Sequence, residues 1–597
     1  MPTTTKTRVF AKPTSPSSSS PCWRSSSRPN SILARASARL RGTFRASPND
    51  ERMVTHTVFN QVPPLEGYDL FSTDRALTDA LRDLAPQAEL EDARALGRLA
   101  GSAEWIERGR LANEFPPELQ AFTARGERID EVRYHPAWHD LMRVAVERGL
   151  HAAAWVDPRP HPQLRRAVGF YLWSQVEAGH VCPISMTAAA IPAIRHQPEL
   201  AAHWEPHITA RHYDPTLASF SEKSSALCGM AMTEKQGGSD VRANTTVATP
   251  QERSGGGNPY TLVGHKWFCS APMCDLFFVL AQAPGGLTCF LLPRILPDGT
   301  RNSFAIQRLK SKLGNRSNAS AEIEFDGTQA WAVGEEGRGV ATIAAMINQT
   351  RLDCALGSAA LMRQALAQAI HHARHRMSFG RALVEHPSMA NVLADLALES
   401  EAATLLALRL ADVADAATGD PHAAVLKRIG TGIGKFWVCK RAVAHVGEAI
   451  EALGGNGYVE ESMMPRLYRE VPVNSVWEGS GNINALDILR VLRKEPESIE
   501  ALRAEYEPIR DDARVRDALT LVERYLSAAP EELEGSVRVL VERLALLWQA
   551  ALMRRHSPHD VADAFIETRF GERSSIFGAI SAKIPFGRIV ERAAPVS

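Results

Sequence analysis

The chain lacks several features that would assign it to common protein classes. No apolar run in its 597 residues approaches the ~20 needed for a membrane-spanning helix, so we expect no integral membrane protein. None of its eight cysteines forms a Cys-x-x-Cys pair, so we expect neither a disulfide framework nor a metal site. A Gly-x-Gly-x-x-Gly dinucleotide fingerprint following a strand is also missing. These absences favour a protein of a reducing, cytoplasmic compartment.

Acidic residues are missing from the beginning of the chain. Residues 1–52 hold ten Lys or Arg but only Asp50 and Glu51 as acids, and they are rich in Ser and Pro. This composition is typical of a transit peptide, although an upstream start codon before Met53 explains it equally well. In either case we expect a disordered leader. Residues 53–597 carry 58 basic against 66 acidic side chains, which disfavours diffuse binding of nucleic acid.

The period of the apolar residues divides the rest of the chain into four segments. A helical period runs through 53–225 and again through 335–490, where the segments are long enough for an antiparallel bundle. Between them, 226–334 shows strand-like alternation separated by Gly, Pro and Asn turns. A last helical segment covers 491–597. The predicted fold class is therefore mainly α with a central β domain.

The most informative motif is Val-Trp-Glu-Gly-Ser-Gly-Asn-Ile at 476–483. It places Glu478 between an aromatic ring and a Gly-Ser-Gly turn. A carboxylate that loses hydration there has a raised pKa, which would improve it as a base for a carbon-bound proton. A solvated Glu478 just before a helix capped by Ser480 explains the same letters.

Four further motifs are weak individually. The 232–240 segment (Met-Thr-Glu-Lys-Gln-Gly-Gly-Ser-Asp) suits a flat or anionic ligand, and 265–270 (His-Lys-Trp-Phe-Cys-Ser) puts Phe268 and Ser270 on one side of a strand. Arg376 and Phe379 close a long helix in a pattern that suits a phosphate clamp with a stacked base. The fourth, 453–458 (Leu-Gly-Gly-Asn-Gly-Tyr), is a glycine-rich helix exit. An ordinary turn, a strand end and a helix C-cap remain alternative explanations for the first three.

The order of these five motifs resembles the acyl-CoA dehydrogenase family throughout 53–490. The segments 55–61, 133–139 and 313–320 and the C-terminal extension are similar to a branch of that family associated with protecting DNA against alkylation. The resemblance implies an N-terminal helical domain, a β-barrel at 226–334, a C-terminal four-helix bundle at 335–490 and a helical extension at 491–597. It also implies a homotetramer that binds FAD and an acyl-CoA.

The resemblance also implies roles for individual residues. Glu478 would remove the proton alpha to the thioester carbonyl while flavin N5 accepts hydride from the beta carbon. Isovaleryl-type relatives carry this base before an arginine of an earlier helix, where this chain has Thr350 and then Arg351, so Glu478 is the base of the right type and Arg351 a substrate contact. Arg376, Phe379 and the Gly454–Gly455 turn would hold the FAD of a neighbouring subunit. The implied cofactor residues are Met232, Thr233, Gly238, Ser239, Phe268, Ser270, Arg376, Phe379, Gly454, Gly455, Trp477, Ser480 and Asn482.

In that branch of the family, DNA contact is attributed to the C-terminal region. Residues 491–537 carry 7 basic and 12 acidic side chains, whereas 538–597 carry 9 and 6. We therefore expect any double-stranded DNA face at Arg538, Arg543, Arg554, Arg555, Arg569 and Arg573, although a solvated helix surface explains so small an excess as well. Two other functions remain open: a catabolic acyl-CoA dehydrogenase with no DNA role, and a DNA-protecting protein whose FAD is structural.

Overall fold

A computed structural model describes residues 55–86, 90–571 and 574–595. The leader predicted at 1–52 lies outside the described residues. Residues 55–59 belong to a first unit, Met1–Phe59, and have exposed side chains. All the elements below belong to a second unit, Asn60–Ser597. No described helix is both long and apolar enough to traverse a bilayer.

The N-terminal part of the second unit is helical, with one hairpin inserted. Helix α1 begins after Asp74, whose carboxylate accepts a hydrogen bond from the Leu77 N–H, and α4 has Pro136 in its first turn, where a missing N–H does no harm. Helix α7 is buried on nearly every side because it packs between α9 and β3. The elements are α1 (Arg75–Leu84), α2 (Glu91–Ala100), α3 (Ala103–Glu114), β1 (Glu118–Phe122), β2 (Arg128–Arg133), α4 (Pro136–Glu147), α5 (Ala153–Val156), α6 (Pro162–Ser174), α7 (Val181–Ile194) and α8 (Pro198–Ile208).

The central β domain is a closed barrel. Strand β6 pairs with β4 and β7, β4 with β5, and β9 with β5 and β7, so the hydrogen-bonded circuit returns to its start. Closure removes the free edges that an open sheet would expose. The strands are β3 (Cys228–Ala231), β4 (Val247–Pro250), β5 (Pro259–Ser270), β6 (Leu276–Ala283), β7 (Gly286–Pro293), β8 (Ala305–Leu309) and β9 (Ser320–Val333).

Long helices form the C-terminal bundle. Helices α10 and α11 each begin with a proline, and Asp420 caps α11 through the His422 N–H at 2.9 Å. A small hairpin follows α9. The elements are α9 (Gly339–His375), β10 (Met377–Ser378), β11 (Arg381–Ala382), α10 (Pro387–Ala416), α11 (Pro421–Leu453), α12 (Gly455–Tyr458), α13 (Met464–Asn474) and α14 (Gly481–Lys494).

The C-terminal extension packs directly on this bundle. Its helices are α15 (Glu497–Glu505), α16 (Arg516–Leu526), α17 (Pro530–His556), α18 (His559–Phe570) and α19 (Phe586–Ala593). Trp548 of α17 is fully buried against Gly430 of α11, where a Cβ would lie only 2.6 Å from its ring. Trp437 Nε1 donates to Gln549 Oε1 at 2.9 Å. The extension is therefore part of the same hydrophobic core as the bundle.

Candidate active site

The Glu478 loop joins α13 to α14 in an unusual backbone conformation. Glu478 has φ +57° and Gly479 has φ +94°, so two successive residues adopt the left-handed region. A side chain at 479 would crowd Ile483 and Asn484, which explains the glycine. For a glutamate this conformation costs about 1–3 kcal/mol, and such strain persists where the surrounding structure enforces it.

Buried side chains enforce it by binding the carbonyl oxygens of the loop. Lys435 Nζ donates to Trp477 O at 2.7 Å and also to Gly479 O. Asn484 Nδ2 donates to Gly479 O at 2.5 Å and to Ser480 O at 3.1 Å. Arg351 Nε donates to Glu478 O at 3.0 Å. Four successive carbonyls therefore bind donors from α9, α11 and α14.

The Glu478 carboxyl lies beside the Thr350 hydroxyl of α9. Burial raises its pKa above the ordinary value, while the Thr350 hydroxyl and the charges of Lys435 and Arg351 oppose that rise. Thr350 is itself buried and bonds back to the Met346 and Ile347 carbonyls. The two positions at which the family carries its base therefore meet in this fold. Only Glu478 supplies a carboxylate.

Ser270 and Glu478 converge on Cys182. Burial raises the pKa of the Cys182 thiol to about 12, and both the Ser270 hydroxyl and the Glu478 carboxylate act on it. Cys182 lies in the first turn of α7, and Ser270 ends β5. Groups from the barrel and the bundle therefore both affect a thiol of the N-terminal helices. Cys269 and Cys274 are both buried, and of the two only Cys269 lies in a strand.

The 232–240 loop is fixed to the end of β5. The Trp267 N–H donates to Thr233 O at 2.8 Å. Glu234 and Lys266, both buried, form an ion pair at 2.7 Å, and Glu234 also binds the Thr245 and Thr246 N–H groups. The bond from Trp267 holds the Thr233 backbone beside the strand that carries Phe268, and Gly238 lies against the Thr233 side chain.

The surface between these segments can accept FAD. Phe268 is 50% exposed although it ends a barrel strand, Ser239 is exposed, and nothing lies within 4 Å of a Cβ placed on Gly237. Ser480 makes no side-chain cap to α14, so the first N–H groups of that helix remain available to a phosphate. An exposed ring, hydroxyls and free N–H groups match the aromatic and anionic parts of this cofactor. The residues present therefore fit FAD.

Four of the predicted cofactor residues lie away from this loop. Within the described residues, no hydrogen bond joins Arg376, Phe379, Gly454 or Gly455 to the segment around Glu478. Arg376 binds the Asn60 carbonyl, and Phe379 is 96% exposed with φ +49°. A Cβ on Gly454 or Gly455 would meet nothing within 4 Å. Their assignment to a neighbouring subunit's FAD stays a prediction.

Arg351 has contacts that differ from its predicted role. Besides Glu478 O it binds Asp487 Oδ2 through Nη1 at 2.7 Å, and only 7% of the residue is exposed. Arg428 binds the same carboxylate, and the two guanidinium groups hold the pKa of Asp487 at about 2 against the opposing effect of burial. These contacts support the base loop. They give the predicted substrate contact no support.

The arginines predicted to face DNA do not form one open surface. Arg569 is buried between Asp395 and Glu399, Arg554 pairs with Asp512 and Asp563, and Arg555 pairs with Glu505. Arg543 is partly buried. Arg538 is exposed, 3.3 Å from Asn482 Oδ1. Arg573 lies outside the described residues.

The supporting residues of the base loop were missed at the level of sequence. Lys435 lies in a stretch of α11 whose neighbouring residues are buried and mostly apolar, and Cys182 lies in the first turn of the buried helix α7. Asn484 lies in the first turn of α14, next to the loop itself. The position of Lys435 within a buried helical stripe is a sequence signal that it has a polar partner, because lysines are almost never fully buried without one. Nothing local identifies Cys182, since its role depends on packing between distant segments.

Comparison with known proteins identifies relatives of this chain along most of its length. Residues 60–215 match the adaptive response protein AidB N-terminal domain, 229–328 the acyl-CoA dehydrogenase middle domain and 337–493 the acyl-CoA dehydrogenase C-terminal domain. AidB of Escherichia coli K12 is 45% identical over 528 residues, which cover 87% of this chain and 96% of the relative. Acyl-CoA dehydrogenase family member 11 of Caenorhabditis elegans is 28% identical, covering 88% and 85%.

A solved structure extends the likeness to three dimensions. Caenorhabditis elegans ACDH-11 in complex with C11-CoA matches with a TM-score of 0.77 at 25% identity, over 92% of this chain and 95% of that chain. The predicted fold class, a helical protein with a central β domain, is confirmed. The chain belongs to the acyl-CoA dehydrogenase family, whose members are FAD-dependent oxidoreductases acting on CH–CH donors.

Proposed function

We propose that this protein is an AidB-type acyl-CoA dehydrogenase in which Glu478 removes the alpha proton of an acyl-CoA thioester. The strained, tightly held Glu478 loop carries the proposal. A carboxylate whose pKa is raised by burial is better matched to a weak carbon acid than a solvated one. Its charge and the Ser270 hydroxyl both act on the pKa of the Cys182 thiol.

The backbone N–H of Glu478 would stabilise the negative charge that develops on the thioester oxygen. As the proton leaves, negative charge grows on the thioester oxygen and needs a hydrogen-bond donor. Within the described residues the Glu478 N–H donates to no protein atom, because the left-handed turn leaves it outside both neighbouring helices. Glu478 would then contribute a base and a donor from one residue.

The cofactor would be held between residues of the barrel and residues of the Glu478 loop. Phe268 would pack on the flavin ring and Ser270 would bond near its edge. Thr233 and Ser239 would line it, and Ser480 with the first turn of α14 would take the phosphates. The remaining predicted contacts are Met232, Gly238, Trp477 and Asn482. When bound, FAD supplies the hydride acceptor.

A titration tests this function. The purified protein should show the visible spectrum of oxidised flavin, and an anaerobic series of acyl-CoA thioesters should bleach it. The series should span short branched chains to about eleven carbons, since the Caenorhabditis elegans relative was solved with C11-CoA. If no thioester bleaches a protein that does contain FAD, the alternative of a structural flavin is the better account.

The proposal includes assembly of this chain into a homotetramer. Phe379 is 96% exposed, and a Cβ on Gly454 or Gly455 would meet no atom within 4 Å, as expected of residues completed by another subunit. Light scattering should give four times the 65.3 kDa chain mass, and Phe379→Ser should lower FAD content. The seven described cysteines are free thiols, in keeping with the proposed cytoplasmic location.

Double-stranded DNA binding and a role in the alkylation response are proposed with less structural detail. Likeness to AidB along almost the whole relative supports them. The ion pairs of Arg554, Arg555 and Arg569 restrict any phosphate contact to the exposed part of the extension, around Arg538. A catabolic acyl-CoA dehydrogenase without DNA affinity is the alternative.

A further inference from the structure

Lys435 is a buried cation at the centre of the fold with an unusual set of partners. It is 1% exposed, and its Nζ donates to the carbonyls of Trp477 and Gly479. Within the described residues no carboxylate lies within ion-pairing distance of it. Burying an ammonium without a counter-ion is unfavourable, so its carbonyl contacts account for its presence.

The two carbonyls that Lys435 binds flank Glu478. An ammonium that bridges residues 477 and 479 fixes the peptide plane before Glu478 and the plane after Gly479, and the first of these is one of the two planes that define the Glu478 φ of +57°. Arg351 holds the intervening carbonyl from the opposite helix. With all three carbonyls bound, the Glu478 N–H has no protein acceptor among the described residues, and the Glu478 carboxyl lies beside the Thr350 hydroxyl. Without the ammonium, the strained turn would relax toward the commoner right-handed region.

We propose that Lys435 is the positioning residue for the base: its ammonium holds the Trp477 and Gly479 carbonyls and so fixes the direction of the Glu478 carboxylate. This inference rests on the proposed function of Glu478. It assigns Lys435 no contact with substrate or cofactor. A misplacement of about 1 Å at a reacting group can lower a rate about 100-fold, which sets the size of the expected effect.

Lys435→Met, which keeps the length of the side chain but removes its donors, tests the proposal. We expect anaerobic flavin reduction by acyl-CoA to slow about 100-fold. KM and FAD content should stay within about twofold of the wild-type values, because the substitution removes no contact to substrate or cofactor. Lys435→Gln, whose amide can donate to one carbonyl, should recover part of the rate. It also replaces Lys435→Met if that variant does not fold.

A second readout is independent of turnover. In the FAD-free protein, amide hydrogen exchange of a peptide spanning 475–483 should speed up in Lys435→Met. Lys427→Met is the matched control, since Lys427 is a half-buried lysine two turns earlier on α11 with no bond to the loop. Both readouts should stay unchanged in that control.

The outcomes separate the two proposals. A wild-type rate in Lys435→Met, or unchanged exchange at 475–483, would overturn the positioning role. Full turnover in Glu478→Gln would overturn the proposed base, and the exchange measurement would still decide whether Lys435 fixes the loop. Partial rescue by Lys435→Gln supports positioning over a general loss of stability.

Discussion

Arg351 Nε donates to the carbonyl oxygen of Glu478 across 3.0 Å, while its Nη1 binds Asp487 across 2.7 Å. One guanidinium thus joins the base loop to α14. The planar guanidinium can donate both hydrogen bonds at once in a fixed geometry. A lysine ammonium at the same position would do so less well. The backbone of the base is therefore held from two helices.

The first prediction concerns the Arg351 guanidinium. Arg351→Lys keeps the charge but weakens the bond to Glu478 O, so we expect the rate of flavin reduction to fall about 10- to 100-fold with FAD still bound. Arg428→Lys is the control, because Arg428 shares the Asp487 carboxylate and makes no bond to the loop. Equal rates for the two variants would remove Arg351 from the support of the base.

The second prediction concerns pH. Burial raises the pKa of Glu478, and only its ionised form accepts a proton, so kcat/KM should fall as the pH drops through that raised pKa. Lys435 opposes the rise, and Lys435→Met should therefore move this acidic limb to higher pH. A pH profile of kcat/KM checks both signs. An acidic limb at the ordinary glutamate pKa would contradict the buried environment.

The third prediction concerns the Glu234–Lys266 pair behind the cofactor loop. Burial favours a higher pKa for Glu234, but hydrogen bonds from Lys266 and Thr246 outweigh it and hold the pKa far below its ordinary value. Its stabilising contribution is therefore present at neutral pH and is lost as the pH falls through the depressed pKa. Glu234→Gln leaves the buried Lys266 ammonium without a counter-charge.

We expect Glu234→Gln to destabilise the fold by about 3–5 kcal/mol and to lower the melting temperature. Glu91→Gln is the control, since its ion pair with Arg98 is exposed to solvent and contributes little to stability. Thermal melts of both variants, with FAD release recorded in parallel, make the comparison. Equal melting temperatures for the two would show that the buried pair does not fix the loop.

The fourth prediction concerns DNA. Arg538 is exposed whereas Arg569 is buried between two carboxylates, so Arg538→Gln should weaken binding of duplex DNA and lower the magnitude of the salt slope by about one. Gel retardation across salt concentrations measures both quantities. Arg490→Gln, at another exposed arginine beside α17, is the control. An unchanged slope would exclude Arg538 from the DNA face.

The fold was largely predictable because its signals are periodic. Long helical stripes and alternating strands place the barrel and bundle, and the strands β5 to β9 lie within the segment 226–334 for which strands were predicted. The hairpin Glu118–Phe122 with Arg128–Arg133 was missed, as were the short strands β3 and β4. Four to six residues carry too little alternation to stand out within helical or loop sequence.

The site was predictable only in part. Glu478 and its glycines follow from a short motif, and Thr350 with Arg351 from resemblance. The Lys435 contact does not, because α11 reaches the loop through helix packing that no sequence spacing encodes. Asn484 lies only four or five residues after the carbonyls that it binds. The DNA prediction shows the same limit: a count of arginines cannot tell exposed Arg538 from buried Arg569, whose charges are neutralised by residues about 170 positions away.

The central claim is that the Glu478 carboxylate removes the alpha proton. It is tested most directly by single-turnover flavin reduction in Glu478→Gln, under anaerobic conditions and with an acyl-CoA that bleaches the wild-type protein. A glutamine keeps the size of the side chain and removes the base, so the rate should fall about 10²- to 10⁴-fold with flavin content unchanged. A Glu478→Gln protein that is reduced as fast as the wild type would contradict the account.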